Sequence, residues 1–378
     1  MALRGLSCCA RFLLHRECTV LRRAVASDCF RCRVGAKRHL LSEDVIRLQD
    51  FQQKKVALRV PERSKRHYFN ALLQKMENNE LILDNELKRL LHLCQTPEDM
   101  VIARKVMNRY HEANRNVEFR FGPLFMRLCY EMGLEDMAFA AITDRTLTGF
   151  FSDITSFSIV IDMLFTKGCY EDALKVVGEM KSQGLSFNKD IFTLAFATCY
   201  KLNTPKSYRI CLNLLEEAQI NNQVISNQAY CCAVALALKQ NDTERAHGIY
   251  SQIIKPDSGV CRNMRVLMLV MAGSIRDAVT VLKMDLLSKR SKFVRKTEFS
   301  QEVLDVLRER SADGPWEKLA EQVVRRLQQA GQVTEQNMDD LLCYTPSGQK
   351  RPMSVVEDDR GRANRRIWIP LPPTLPSK

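Results

Sequence analysis

The chain has 378 residues and a formal charge of +13, from 57 Lys and Arg against 44 Asp and Glu. A basic balance permits an anionic partner without identifying one. It contains no run approaching the roughly 18 apolar residues of a membrane span, and no Gly-rich phosphate loop, His-x-x-x-His zinc pair or nucleophile elbow.

Residues 1–38 carry nine basic side chains (Arg4, Arg11, Arg16, Arg22, Arg23, Arg31, Arg33, Lys37 and Arg38) against Glu17 and Asp28. That composition, with Phe12, Leu13 and Leu14 set between basic residues, predicts a mitochondrial transit peptide. Its removal leaves a net charge of about +6, so the mature chain is only mildly basic. Five of the 14 cysteines lie in the leader, where Cys29-x-x-Cys32 lacks a second pair at zinc-site spacing. Cys129, Cys199, Cys211, Cys231 and Cys232 fall in helical segments and are expected to be small buried residues in a reducing matrix.

Residues 39–84 are predicted to form an N-terminal helical cap. Ser42-Glu43-Asp44 supplies a helix start, and Tyr68, Phe69, Leu72, Leu73 and Met76 share the face of a further helix.

Residues 85–287 repeat. The second helix of each unit is marked by Ala103, Ala138, Ala173, Tyr208, Ala246 and Ala278, separated by 35, 35, 35, 38 and 32 residues. The mean period is 35, so an insertion near Tyr208 is compensated by a deletion in the next unit. In the clearest unit, Asp153–Asn188, residues Phe157, Val160, Ile161, Leu164 and Phe165 form the apolar face of a first helix. Gly168 ends it, and Glu171 and Asp172 open a second helix whose stripe is Ala173, Val177 and Met180 and whose stop is Gly184. A unit of about 35 residues cannot bury enough surface to offset backbone entropy of about 1–2 kcal/mol per residue, so neighbours must complete the core. The expected fold class is all-α: a right-handed or similarly curved α-solenoid with helical caps. Tyr208, large where the others are small, predicts looser packing in the fourth unit.

Residues 288–344 are predicted to form a C-terminal helical cap. Within it, Pro315 opens a helix with Trp316, Leu319, Ala320, Val323, Val324 and Leu327 on one face, stopped by Gly331. The Pro-rich tail, 345–378, is expected to be extended and mobile. The basic run at Lys289, Arg290, Lys292, Arg295 and Lys296, which includes Phe293, is a candidate phosphate clamp with salt-sensitive affinity.

The 35-residue period, Phe157-Ser158, the Lys167-Gly168 turn, Glu171 to Leu174 and the Glu-Met-Lys-x-x-Gly ending at Glu179 to Gly184 resemble the pentatricopeptide repeat. The tetratricopeptide repeat, with its Trp/Leu/Gly/Tyr/Pro pattern, is the nearest competitor, and the array has no Trp. The resemblance implies that the chain binds single-stranded mitochondrial RNA and promotes transcript maturation, processing or stability, and thereby respiratory-chain function. RNA-processing nucleases or other maturation proteins are further partners, and the mitochondrial matrix is the expected compartment. By that resemblance two side chains per unit read one base: Ser158 with Asn188, a pair that favours adenine; Thr193 with Ser226; and Asp153 with Gly122 or Pro123. The last two combinations depart from well-read pairs, so a short motif is expected rather than a long unique sequence.

Two other readings stand beside it. A helical-repeat scaffold for the mitochondrial ribosome or respiratory-chain assembly would bind a helix or extended peptide in place of RNA. A metal-dependent ribonuclease, the least favoured, would need clustered carboxylates, for which Asp339-Asp340 and Glu357-Asp358-Asp359 are the candidates. Adjacent acids on a helix point apart, and His92, His111 and His247 are scattered. The expectation is therefore a protein without catalytic residues, metal or cofactor.

Overall fold

The computed structural model describes residues 40–58, 60–113, 120–287, 298–312 and 314–345. The leader, the basic run at 289–296 and the tail from 346 onward lie outside them. The described residues are all-α apart from one two-residue parallel bridge.

Three helices come first: α1 (Glu43–Ile46), α2 (Leu48–Ala57) and α3 (Glu62–Glu77). Seven hairpins follow, each an A helix and a B helix: α4/α5 (Asp84–Leu93, Pro97–Ala113), α6/α7 (Gly122–Met132, Glu135–Ile142), α8/α9 (Ile154–Lys167, Tyr170–Ser182) and α10/α11 (Lys189–Leu202, Pro205–Ile220). The remaining hairpins are α12/α13 (Asn227–Lys239, Thr243–Tyr250), α14/α15 (Gly259–Met271, Ile275–Leu287) and α16/α17 (Gln301–Ser311, Glu317–Gln329), after which α18 (Met338–Leu342) closes the described chain. Gly168 adopts φ +90°, a left-handed conformation that costs a residue without a Cβ little, and so ends α8 cleanly.

Successive A helices pack on one another from α4 to α16, most extensively α10 on α12. That approach is permitted by small side chains such as Ala195 and Ala197 on α10 and Ala229 and Ala233 on α12, all buried. The A helices are buried on almost every side. In α8, ten consecutive residues from Ser156 to Phe165 are inaccessible, whereas the B helices keep one solvated face. Burying a Leu or Phe completely contributes roughly 1.5–3 kcal/mol, and only stacked neighbours supply the surface that does so.

The fourth residue of helix B is a fully buried Ala in α7, α9, α13, α15 and α17: Ala138, Ala173, Ala246, Ala278 and Ala320. Ala320 extends the series into the segment expected to be a cap, which is a seventh hairpin. Its A helix, α16, carries a weak sequence signal because the loop after α15 is long and Val303, Leu304 and Leu307 make a short stripe. In α11 the small buried side chain is Ser207 rather than Tyr208, one residue earlier. Tyr208 remains part-exposed and its hydroxyl donates to Asp242 Oδ2 at 2.9 Å, tying α11 to the cap of α13. A polar tie thus replaces close packing there.

The N-terminal segment departs from expectation. Only α3 behaves as an end cap, packing on α5. Residues 40–57 instead run along the A helices: α2 packs on α4 and α6, and α1 on α8. At the other end, Phe299 and Ser300 pair with Val333 and Thr334, joining the start of α16 to the chain leaving α17.

Candidate nucleic-acid interface

Four A helices begin at a polar cap whose side-chain oxygen accepts a backbone N–H three residues on: Asp153 from Ser156 (2.8 Å), Asn188 from Ile191 (2.9 Å), Ser226 from Ala229 (3.1 Å) and Ser258 from Cys261 (3.2 Å). These caps are separated by 35, 38 and 32 residues, and each stands 20 residues before the helix-B marker of its unit. The insertion therefore falls between Tyr208 and Ser226, where α11 has 16 residues against 13 in α9, and the deletion falls in α13, which has eight.

Asp153, Asn188 and Ser226 thus carry a structural task whatever else they contact. Asp153 is buried and also accepts the Ser156 hydroxyl at 2.8 Å. Gly122, its sequence-assigned partner, abuts it: a Cβ on Gly122 would lie 2.9 Å from Asp153 Oδ2 and 2.6 Å from Ser156 Oγ. Asn188 is half-buried, and because Oδ1 serves the cap, its NH2 group is the part available to a ligand.

Five residues after each cap stand Ser158, Thr193, Cys231 and Asn263, all buried. The Ser158 hydroxyl donates to the Ile154 carbonyl at 2.9 Å. Thr193 donates to Lys189 O at 2.8 Å and shares a 2.7 Å hydrogen bond with Ser226, so the two side chains of that pair contact each other. Cys231 Sγ lies 3.5 Å from Cys261 Sγ. Asn263 Oδ1 accepts the Ser300 N–H at 2.8 Å and its Nδ2 donates to Glu298 O at 2.9 Å, pinning the chain that enters α16. The repeat geometry brings the paired positions together, and in at least two units they are satisfied by each other or by the next A helix.

Both ends of the chain cover this face. Asp162, one turn beyond Ser158 and fully buried, accepts the backbone N–H groups of Leu40 (2.8 Å) and Leu41 (3.3 Å). Arg127 Nε donates to Ile46 O, and Lys55 pairs with Glu131 at 2.6 Å. From the other end, Gln228 Nε2 donates to Leu342 O at 2.8 Å and Tyr344 O at 3.0 Å. Asp339 meets the Tyr200 hydroxyl, Lys201 Nζ at 3.0 Å and Lys239 Nζ at 3.9 Å. Burial pushes the Asp339 carboxyl up, but Lys201, Lys239 and the Tyr200 hydrogen bond outweigh it and hold the group below the usual carboxylate range. Burial conversely pulls Lys239 below the usual lysine range, only partly offset by Asp339.

Asp162, Tyr200, Lys201, Gln228 and Lys239 are absent from the sequence-derived set. Their signal is a polar residue inside an otherwise apolar A helix, as in Ile159-Val160-Ile161-Asp162-Met163. With two lysines on its carboxylate, Asp339 is poorly placed as a divalent-metal ligand, and among the described residues no group of three or more His, Cys, Asp or Glu side chains gathers to hold a metal. The five cysteines expected to be buried are so, and those of the described residues are free thiols. No helix among the described residues is long and apolar enough to cross a membrane.

The model of the Mitochondrial 28S ribosomal protein S27 family matches residues 13–227. Three proteins named "Pentatricopeptide repeat-containing protein 2, mitochondrial" are similar along nearly the whole chain. The Danio rerio protein is 53% identical over 95% of this chain and 96% of its own. The Mus musculus protein is 46% identical over 92% of each, and the Homo sapiens protein 43% identical over 91% of this chain and 90% of its own. Identity of this degree over both full lengths, on an array of seven stacked hairpins, makes the chain a member of the mitochondrial pentatricopeptide repeat-containing protein 2 family, with a region that also matches the S27 ribosomal protein family.

Proposed function

We propose that the protein binds single-stranded RNA in the mitochondrial matrix and promotes transcript maturation, processing or stability, in support of respiratory-chain gene expression and without catalysing a step itself. The observation that carries this reading is the membership of the pentatricopeptide repeat-containing protein 2 family together with polar caps recurring along the A-helix face. Asn188 is the best-placed base contact, because its NH2 can donate to a ring acceptor while its Oδ1 keeps the helix capped. Ser158, Thr193 and Asp153 are buried and already bonded. Recognition is accordingly weighted to a short motif and to phosphate contacts, with RNA-processing nucleases or other maturation proteins supplying any cleavage.

Ultraviolet crosslinking of the endogenous protein in mitochondria, stringent purification and sequencing of attached RNA tests the reading. Enrichment at defined transcript sites or processing junctions is expected. Recovery no greater than from a matched control, with the protein folded, would remove it.

The match to the S27 family favours a second reading, a protein-binding scaffold on the mitochondrial ribosome. In that case the protein co-sediments with the small ribosomal subunit after transcripts have been digested, and its crosslinks are to proteins.

A further inference from the structure

Tyr200 and Lys201 occupy the last turn of α10, and Lys239 is the final residue of α12, the neighbouring A helix. Both lysines therefore sit at the negative end of a helix dipole, which stabilises their charge. Lys239 is almost fully buried, with Nζ 3.8 Å from the centre of the Tyr200 ring. Three donors from two consecutive repeats converge on the two oxygens of one side chain, Asp339. Two ammonium groups on a single carboxylate leave the site with excess positive charge, so a tetrahedral oxyanion, with more acceptor oxygens, matches the donors at least as well.

The carboxylate is delivered by a small element. Helix α18 has five residues, and its polar anchors are Gln228 on two carbonyls and Glu302 Oε2, which accepts the Met338 N–H at 2.8 Å. Met338 and Leu342 supply its buried apolar contacts. A segment with so little buried surface opens at far lower free energy than the hairpins beneath it.

We propose that Tyr200, Lys201 and Lys239 form a binding site for a backbone phosphate of single-stranded RNA, and that Asp339 occupies it as an internal stand-in until RNA displaces residues 336–345. The inference rests on the RNA-binding reading above. It gives the A-helix face of the fourth and fifth hairpins a phosphate contact that the basic run at 289–296 does not provide, and it makes access to that face a competition between one carboxylate and one phosphodiester.

The test uses the full chain, its Asp339→Asn variant and a short fluorescent single-stranded RNA of mixed sequence. Asn preserves the shape of Asp339 and a carbonyl acceptor for Tyr200 while removing the charge that holds the segment. Tighter binding by the variant, by about fivefold, is expected because the open state no longer has to be won from the lysine pair. Adding Lys201→Gln and Lys239→Gln to Asp339→Asn should abolish the gain and reduce the slope of log affinity against log salt by about 0.7 for each phosphate that is no longer neutralised. Hydrogen exchange on the native chain provides a readout that needs no variant: RNA should raise exchange at 338–345 and leave α10 and α12 protected. Equal affinity of native protein and variant, with exchange at 338–345 unmoved by bound RNA, would overturn the site and leave the RNA reading standing. Failure of both folded proteins to bind any RNA would overturn the reading and the site with it. Inorganic phosphate and ATP are the competing phosphate sources; if either releases the segment where RNA does not, the assignment to RNA is wrong.

Discussion

The two ends of the chain both lie on the A helices, but they are held by opposite chemistry. Residues 40–57 lay apolar side chains into the array, with Leu40, Leu41, Ile46 and Phe51 all buried, and the array reaches up with Asp162 to satisfy their backbone. Residues 338–344 do the reverse: the segment contributes the carboxylate, and the array contributes Tyr200, Lys201, Lys239 and Gln228. The first contact is apolar and deep, and belongs to the core. The second is a charge contact under a thin apolar cover, of the kind that salt and competing anions weaken. One end is built into the fold, and the other is placed on it.

Substitutions that remove one interaction at a time should separate these two cases. The largest effect is expected from Asp162→Ala, which strands two buried N–H groups and should lower unfolding stability in urea by about 3 kcal/mol. A loss below about 1 kcal/mol would mean that the N-terminal segment is as loosely held as the C-terminal one. Next is Gly122→Ala, on α6 beneath the same half of the array. The added Cβ meets Ser156 and Asp153 at 2.6 and 2.9 Å, and the strain should cost about 2 kcal/mol, again read from urea unfolding.

Asn188 stands where the two halves meet, and its two roles can be parted. Asn188→Ala loses the cap and should cost about 1 kcal/mol in thermal or chemical unfolding. Asn188→Asp keeps the cap oxygen but removes the NH2 donor, so it should fold normally and crosslink less RNA. Unchanged crosslinking in the Asp variant would assign Asn188 to the helix alone.

The smallest effect belongs to Asp339, and pH reveals it. Its carboxyl titrates below the usual range in the folded protein, so the pairing stabilises the segment above the unfolded value and is lost as pH falls through the folded one. Hydrogen exchange at 338–344 should therefore be constant above about pH 5 and accelerate below about pH 4, by an amount worth about 1 kcal/mol or less given the partial exposure of the pair. Residues 40–41, whose acceptor is buried in the core, should show no comparable step until the array itself unfolds.

Much of the array is readable in the sequence because its signals are local. The marker alanines, the Gly168 stop and the Pro315-to-Gly331 stripe depend on helical periodicity and end chemistry that a single unit contains. The compensating insertion and deletion are legible as unequal gaps, and the structure assigns them to α11 and α13. The seventh hairpin is half legible: α17 stands out, whereas α16 has a short stripe and follows a long connection. Ser207 shows the limit of a fixed ruler, since one residue of slip moves the small side chain away from Tyr208. For the candidate site, spacing finds the right positions and cannot tell their state. Thr193 and Ser226 are paired correctly in sequence, and only their 2.7 Å contact shows that they are spent on each other.

The sequence by itself determined that this protein is a stack of helical hairpins, because hydrophobic period, caps and small residues act within about 35 residues and repeat. Only the tertiary structure decided what lies on the A-helix face. Asp162 meets Leu40 across 122 residues and Tyr200 meets Asp339 across 139. Contacts at such separation leave no periodic trace, since each is made once, between a unit of the array and a segment that does not repeat.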